Sequence, residues 1–254
     1  MGMLEAGIDG KRVLITGSSS GIGFELAKGF CAAGATVILN GRNVERLEMA
    51  ARNLQQLSPA AGNVLQVCFD VTDEAAAQAG VEALGRIDVL VNNAGIQRRG
   101  PLDRVATFTW DEVIRTNLSS AFWMGRAVVS QMIERKAGKI LNICSLMSDY
   151  ARAGTGPYTA AKGGLKMLTK AMCADWAQHN IQINGIAPGY FLTEMTRPLA
   201  ENPEFDGWVK RRTPTGRWGL PQELIGAALF LCSDAASFIN GQIVCVDGGM
   251  TSVL

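Results

Sequence analysis

Residues 11–23 read KRVLITGSSSGIG. The run Lys11 to Thr16 is short, rich in β-branched and apolar residues, and closed at once by glycine and serine, so it reads as a buried strand ending in a turn. The turn carries Gly17, Ser18, Ser19, Ser20, Gly21, Ile22 and Gly23. Beyond it, Ile22, Leu26, Ala27 and Phe30 fall on one face of a helix. A strand that passes through such a turn into a helix is a candidate phosphate cradle. Gly17 and Gly21 let the backbone approach a pyrophosphate, Gly23 allows close helix-to-strand packing, and the helix N-terminus offers unpaired N–H groups and a favourable dipole. The spacing, Gly-x3-Gly-x-Gly, departs from the general GxGxxG fingerprint, so the strand-to-helix context carries more weight than the glycines.

The same alternation continues along the chain. Ala35–Asn40, Val64–Asp70, Ile87–Asn92, Lys139–Cys144, Ile181–Ala187 and Ile243–Val246 read as further buried strands, with helical stretches between them such as the face Leu47, Ala50, Ala51 and Leu54. Repeated βα units predict a doubly wound α/β fold of the Rossmann type: a seven-stranded parallel sheet with helices on both faces and right-handed crossovers. At 254 residues, with no repeat or low-complexity linker, the chain is expected to be one domain, residues 1–254. Residues 188–217 break the rhythm with Pro188, Gly189, Pro198, Pro203, Gly207, Pro214 and Gly216, yet hold Phe191, Leu192, Phe205 and Trp208, and are expected to form a partly helical lid.

Composition excludes several classes. Apolar residues make up 48% of the chain, enough for a real core, and 24 basic against 23 acidic residues leave no broad basic field for nucleic acid or an anionic membrane. No apolar run reaches membrane-span length and Met1 to Arg12 lacks a leader pattern, so a soluble, cytoplasmic protein is expected. The six cysteines, at 31, 68, 144, 173, 232 and 245, include no CxxC pair, and their apolar surroundings fit small, reduced core residues rather than a zinc site. The single histidine, His179, lies between Gln178 and Asn180 and reads as a surface residue.

In a dinucleotide fold, the end of the second strand reads the adenosine ribose. Here it is Asn40, Gly41, Arg42, with no carboxylate for a 2′-hydroxyl and a guanidinium suited to a 2′-phosphate. That favours NADP, with NAD as the alternative. At the carboxyl edge of the fifth strand stands Ser145, and Tyr158 and Lys162 follow at i and i+4 on one helical face. A tyrosine with a free pKa of about 10 is a poor base at neutral pH, and a close ammonium favours its phenolate.

TGSSSGIG at 16–23, NNAG at 92–95, Asn117, Ser145 and YTAAK at 158–162, in this order across nearly the whole chain, resemble the short-chain dehydrogenase/reductase family. The resemblance implies that Tyr158 is the general acid/base, that Lys162 lowers its pKa and holds the nicotinamide ribose, that Ser145 binds the reacting oxygen, and that Asn117 positions a proton-relay water. It also implies cofactor contacts from Asp70 and Val71, from Asn93, Ala94 and Gly95, and from Pro188, Gly189 and Thr193, with no metal. Ser20 departs from the arginine or lysine of many NADP-preferring members, so cofactor choice rests on Arg42.

Three arginines, Arg98, Arg99 and Arg152, flank the expected substrate cavity, and a guanidinium fork suits a small carboxylate. The runs NAGIQRRGPL, HNIQINGIAPGYFLTEM and RTPTGRWGLPQELIGAALFL are similar to family members that interconvert D-gluconate and 5-keto-D-gluconate, which implies a sugar-acid substrate bound by Ser145, Tyr158 and one of those arginines. Two other readings stay open: a reductase of another carbonyl (a 3-ketoacyl thioester, another polyol or a cyclic ketone), or an NADP-binding sensor without chemistry. The resemblance further implies a homotetramer built on helices at about 110–136 and 158–178. Val113, Phe122, Trp123, Val128 and Met132 fit either that interface or the core.

Overall fold

The β-branched runs form β1 (Arg12–Ile15), β2 (Thr36–Gly41), β3 (Val64–Cys68), β4 (Val89–Asn92), β5 (Gly138–Ile143), β6 (Ile181–Pro188) and β7 (Ile243–Val246), each within two residues of its expected ends. The protein is seen here in a computed structural model that describes residues 7–57 and 64–253. Met1 to Ala6, the first part of the segment read for a leader, lie outside the described residues. The strands pair in parallel in the order β3-β2-β1-β4-β5-β6-β7.

Side chains alternate across the sheet with period two, so each face is apolar. On one face Val13, Ile15, Val37, Leu39, Val89 and Val91 pack against Leu26 and Phe30 of α1 (Gly21–Ala32), Leu47 and Leu54 of α2 (Val44–Leu57), and helix Ile225–Cys232. On the other, Leu14, Ile38, Leu90 and Ile140 meet Ala77 and Val81 of α3 (Glu74–Leu84) and residues from two longer helices. These are α5 (Ser120–Arg135), which brings Met124, Val128 and Met132, and α6 (Gly156–Trp176), which brings Met172. The helix expected from Trp110 begins earlier, as α4 (Thr107–Ile114), and is joined to α5 by a single π-helical turn, Arg115–Ser119. Two short helices, α7 (Arg197–Ala200) and α8 (Pro203–Arg212), lie in the Pro-rich stretch, and Ile225–Cys232 is α9.

One core expectation needs correction. Cys31, Cys144 and Cys232 are buried, but Cys68 and Cys245 are exposed, because β3 and β7 are the two edge strands. His179 is half-buried, in a 3-10 turn after α6. Strand order reverses between β1 and β4, and a parallel sheet opens a crevice at the carboxyl ends of its strands at such a point.

Candidate active site

The crevice is a cavity of ≈ 450 Å³. Its first wall is the Gly17–Gly23 turn. Thr16 holds this turn to β4: its Oγ1 accepts from the N–H groups of Asn93 (3.0 Å) and Ala94 (3.1 Å). Asn93 Nδ2 returns bonds to the carbonyls of Thr16 (2.9 Å) and Gly17 (3.0 Å). Gly17 and Gly21 take φ of +61° and +58°, which side chains disfavour. A Cβ on Gly23 meets Asn93 Nδ2 at 2.4 Å, so this residue packs the helix down and does not itself line the cavity. Ser20 at the N-cap of α1 makes no side-chain cap bond, which leaves the helix's first N–H groups available to an anion. A Cβ on Gly21 meets nothing within 4 Å, so there is open space over the turn, and these features together fit a pyrophosphate.

Toward the adenosine end, Asn40 is buried, with Nδ2 donating to the carbonyls of Val67 and Phe69 at 3.2 Å each. This fixes the end of β2 and points the chain outward at Arg42. The Arg42 side chain is 72% exposed and pairs loosely with Asp70 (Nη1 to Oδ2, 3.5 Å). Burial opposes ionisation of Asp70, but the Thr72 N–H and hydroxyl and the Arg42 guanidinium outweigh it and hold the carboxyl below its usual range. Arg46 and Asn43, which sequence reasoning missed, line the same end.

Ser145, Tyr158, Lys162 and Asn117 share the cavity with Ser19, Ser20, Ile22, Val71, Gly95, Pro188, Gly189 and Thr193. Asn92 Nδ2 donates to Asn142 Oδ1 (2.9 Å), and Asn142 Nδ2 donates to Thr169 Oγ1 (2.8 Å). This buried chain locks β4 and β5 to α6, and so sets Ser145 against Tyr158. Lys162 is buried, with Nζ donating to the Ile143 carbonyl at 2.6 Å and lying 5.7 Å from the centre of the Tyr158 ring. Asn117 is buried in the π turn, its Nδ2 donating to Ile96 O and Val113 O at 2.9 Å each. π turns recur at functional sites, and this one has no period a sequence reveals.

The expected lowering of the Tyr158 pKa is not what the packing produces. Burial pushes the phenol up, and the Ser145 hydroxyl works in the other direction without cancelling it. Burial also brings Lys162 down to about 8.

None of the three arginines lines the main cavity. Arg98 is turned away: Nε and Nη2 fork onto Glu112 at 3.0 and 2.8 Å on the surface. Arg99 and Arg152 stand beside the cavity in two touching loops, joined by Gly100 N–H to Gly154 O at 3.1 Å. Phe205, in α8, stacks on Arg152, and Tyr190 meets the Phe205 ring edge-on within electrostatic reach of both arginines.

Residues 11–204 match the family model described as short chain dehydrogenase. The chain belongs to the short-chain dehydrogenase family. Among its relatives within that family, gluconate 5-dehydrogenase of Gluconobacter oxydans is 51% identical over 96% of each chain. The 5-keto-D-gluconate 5-reductase of Escherichia coli K12 is 51% identical over 95% of each. A solved short-chain dehydrogenase, gluconate 5-dehydrogenase of Burkholderia cenocepacia in complex with NADP and tartrate, superposes with a TM-score of 0.95 at 47% identity, covering 100% of both chains.

Proposed function

We propose that this short-chain dehydrogenase interconverts D-gluconate and 5-keto-D-gluconate with NADP. The observation that carries the reading is the meeting of Ser145, Tyr158, Lys162 and Asn117 in the cavity that begins at the glycine turn. The two relatives at 51% identity name the substrate pair, and the Burkholderia relative is in complex with NADP and tartrate.

NADP, when bound, accepts or supplies the hydride. The turn Gly17, Ser19, Ser20, Gly21 and Ile22 would hold its pyrophosphate, with Gly23 packed beneath, and Arg42 would pair with the 2′-phosphate. Asp70 and Val71 would hold the adenine, and Asn93, Ala94, Gly95, Pro188, Gly189 and Thr193 would hold the rest of the cofactor toward its nicotinamide. Ser145 donates to the reacting oxygen. Tyr158 gives that oxygen its proton in reduction. Lys162 stabilises the phenolate left behind, and Asn117 orders a water through which the proton is replaced. Residues 188–217 act as the lid, and Arg99 and Arg152 take over the carboxylate role for which Arg98 was also a candidate. The enzyme works in the cytoplasm as a homotetramer; the reading is supported by free thiols at Cys68, Cys144, Cys173, Cys232 and Cys245 and by apolar side chains exposed on α4, α5 and α6. No helix among the described residues is long and apolar enough to cross a membrane.

The test is NADPH oxidation at neutral pH with 5-keto-D-gluconate beside 2-keto-D-gluconate, an acetoacetyl thioester and cyclohexanone, repeated with NADH. Selective turnover of 5-keto-D-gluconate with NADPH is expected, and Arg42→Ala should lose the NADPH preference while keeping NADH use. Turnover confined to another carbonyl contradicts the substrate, and unchanged cofactor discrimination in Arg42→Ala contradicts the role of that residue.

A further inference from the structure

Tyr190 follows Pro188 and Gly189 out of β6 and enters an aromatic cluster under the lid. Its ring meets Phe205 at 5.5 Å and Trp208 and Trp218 at 5.7 Å each, all edge-on. Trp218 satisfies its polar edge, donating from Nε1 to Asp206 at 2.8 Å. Tyr190 does not: its hydroxyl is buried and has no hydrogen-bond partner among the described residues. The same holds for Arg152 Nε, whose guanidinium is stacked 4.5 Å over the Phe205 ring. Buried polar groups left unpaired carry a desolvation penalty and are expected to have a partner in the working state.

The chemistry of that partner follows from what the cluster lacks. Arg152 is a donor alone, and the buried Tyr190 hydroxyl, held protonated by burial, is a donor free to turn. Arg99 lies close enough for the two guanidiniums to repel each other, and its one side-chain bond is to neutral Gln97 (3.0 Å). No carboxylate among the described residues pairs with Arg99 or Arg152. Two positive groups and an idle hydroxyl call for an acceptor that brings negative charge. The cluster adjoins the reaction centre, because Leu146, next to Ser145 in the chain, packs in the same apolar group as Tyr190, Phe205 and Trp218.

We infer that the Tyr190 hydroxyl and Arg152 Nε–H together anchor the carboxylate of the substrate, with Phe205 on the lid positioning Arg152. The inference rests on the sugar-acid reading and deepens it by naming what discriminates an acid from a neutral polyol. A site built to hydrogen-bond a group rejects the analogue that lacks it, because its own buried donors are then left unmet.

The test uses the full chain loaded with NADPH, with which D-gluconate has no hydride acceptor and cannot react. D-Gluconate and neutral D-glucitol are titrated into wild type, Tyr190→Phe and Arg152→Gln, with binding read from the fluorescence of Trp208 and Trp218, which flank Tyr190, and KM and kcat are measured with 5-keto-D-gluconate. Each variant should weaken D-gluconate binding and raise KM by about 10-fold or more while leaving D-glucitol binding, NADPH affinity and kcat within about 2-fold. Unchanged NADPH affinity also certifies that the variants fold, and Tyr190→Phe keeps the ring packing. D-gluconate affinity unchanged in both variants overturns the anchor. If wild type fails to reduce 5-keto-D-gluconate yet binds D-gluconate through Tyr190, the anchor stands and the substrate reading falls. If it reduces 5-keto-D-gluconate and Tyr190→Phe does so with the same KM, the anchor falls alone.

Discussion

Lys162 is 4% exposed, and burial lowers its pKa from 10.5 to about 8, an effect that Cys144 opposes only in part. At neutral pH the ammonium is therefore mostly present, and it is lost as pH rises through about 8. Under the proposed mechanism that charge stabilises the phenolate left when Tyr158 gives up its proton, so kcat for ketone reduction should fall on an alkaline limb near pH 8. A profile flat to pH 10 contradicts this assignment. The spacing of Tyr158 and Lys162 on one helical face was readable from the sequence, since i and i+4 positions share a face whatever the fold. The direction of the tyrosine shift was not, because desolvation depends on neighbours brought from β5. Adjacent Arg98 and Arg99 were likewise indistinguishable until the loop turned one toward Glu112 and the other toward Arg152.

Among the elements, α6 carries Tyr158 and Lys162, and its placement depends on one buried polar chain. Thr169 Oγ1 accepts from Asn142 Nδ2 and donates to Leu165 O, each at 2.8 Å. Thr169→Val keeps the volume but leaves the Asn142 amide without its acceptor, so denaturant unfolding should show a loss of about 1–3 kcal/mol. A change within about 0.5 kcal/mol means that this chain does not hold the helix. Strands and helices were legible because hydrophobic period reports them directly. The π turn at Arg115–Ser119 was not: one added residue in a turn leaves the pattern of apolar positions on both sides intact, and α4 and α5 therefore read as one helix. The edge positions of β3 and β7, which expose Cys68 and Cys245, depend on strand order, which no single segment encodes.

For the molecule as a whole, the helices assigned to assembly have a mixed character. Val113, Val128 and Met132 are buried in the monomer core, whereas Phe108, Phe122 and Met167 are exposed, Phe122 at 41%. Sedimentation should give four times the mass of one chain, reduced by Phe122→Glu with little change in NADPH affinity. A single-chain mass for wild type at assay concentration contradicts the proposed tetramer. The parallel sheet was predictable because alternation and right-handed crossovers leave few topologies. The cluster around Tyr190 was not, since it joins residues 99, 152, 190 and 205 through tertiary packing alone. The catalytic assignment is tested most directly by Tyr158→Phe, which removes the proton donor and keeps the ring. Turnover of 5-keto-D-gluconate should fall by at least about 100-fold, with NADPH affinity nearly unchanged. Full activity in that variant contradicts the mechanism.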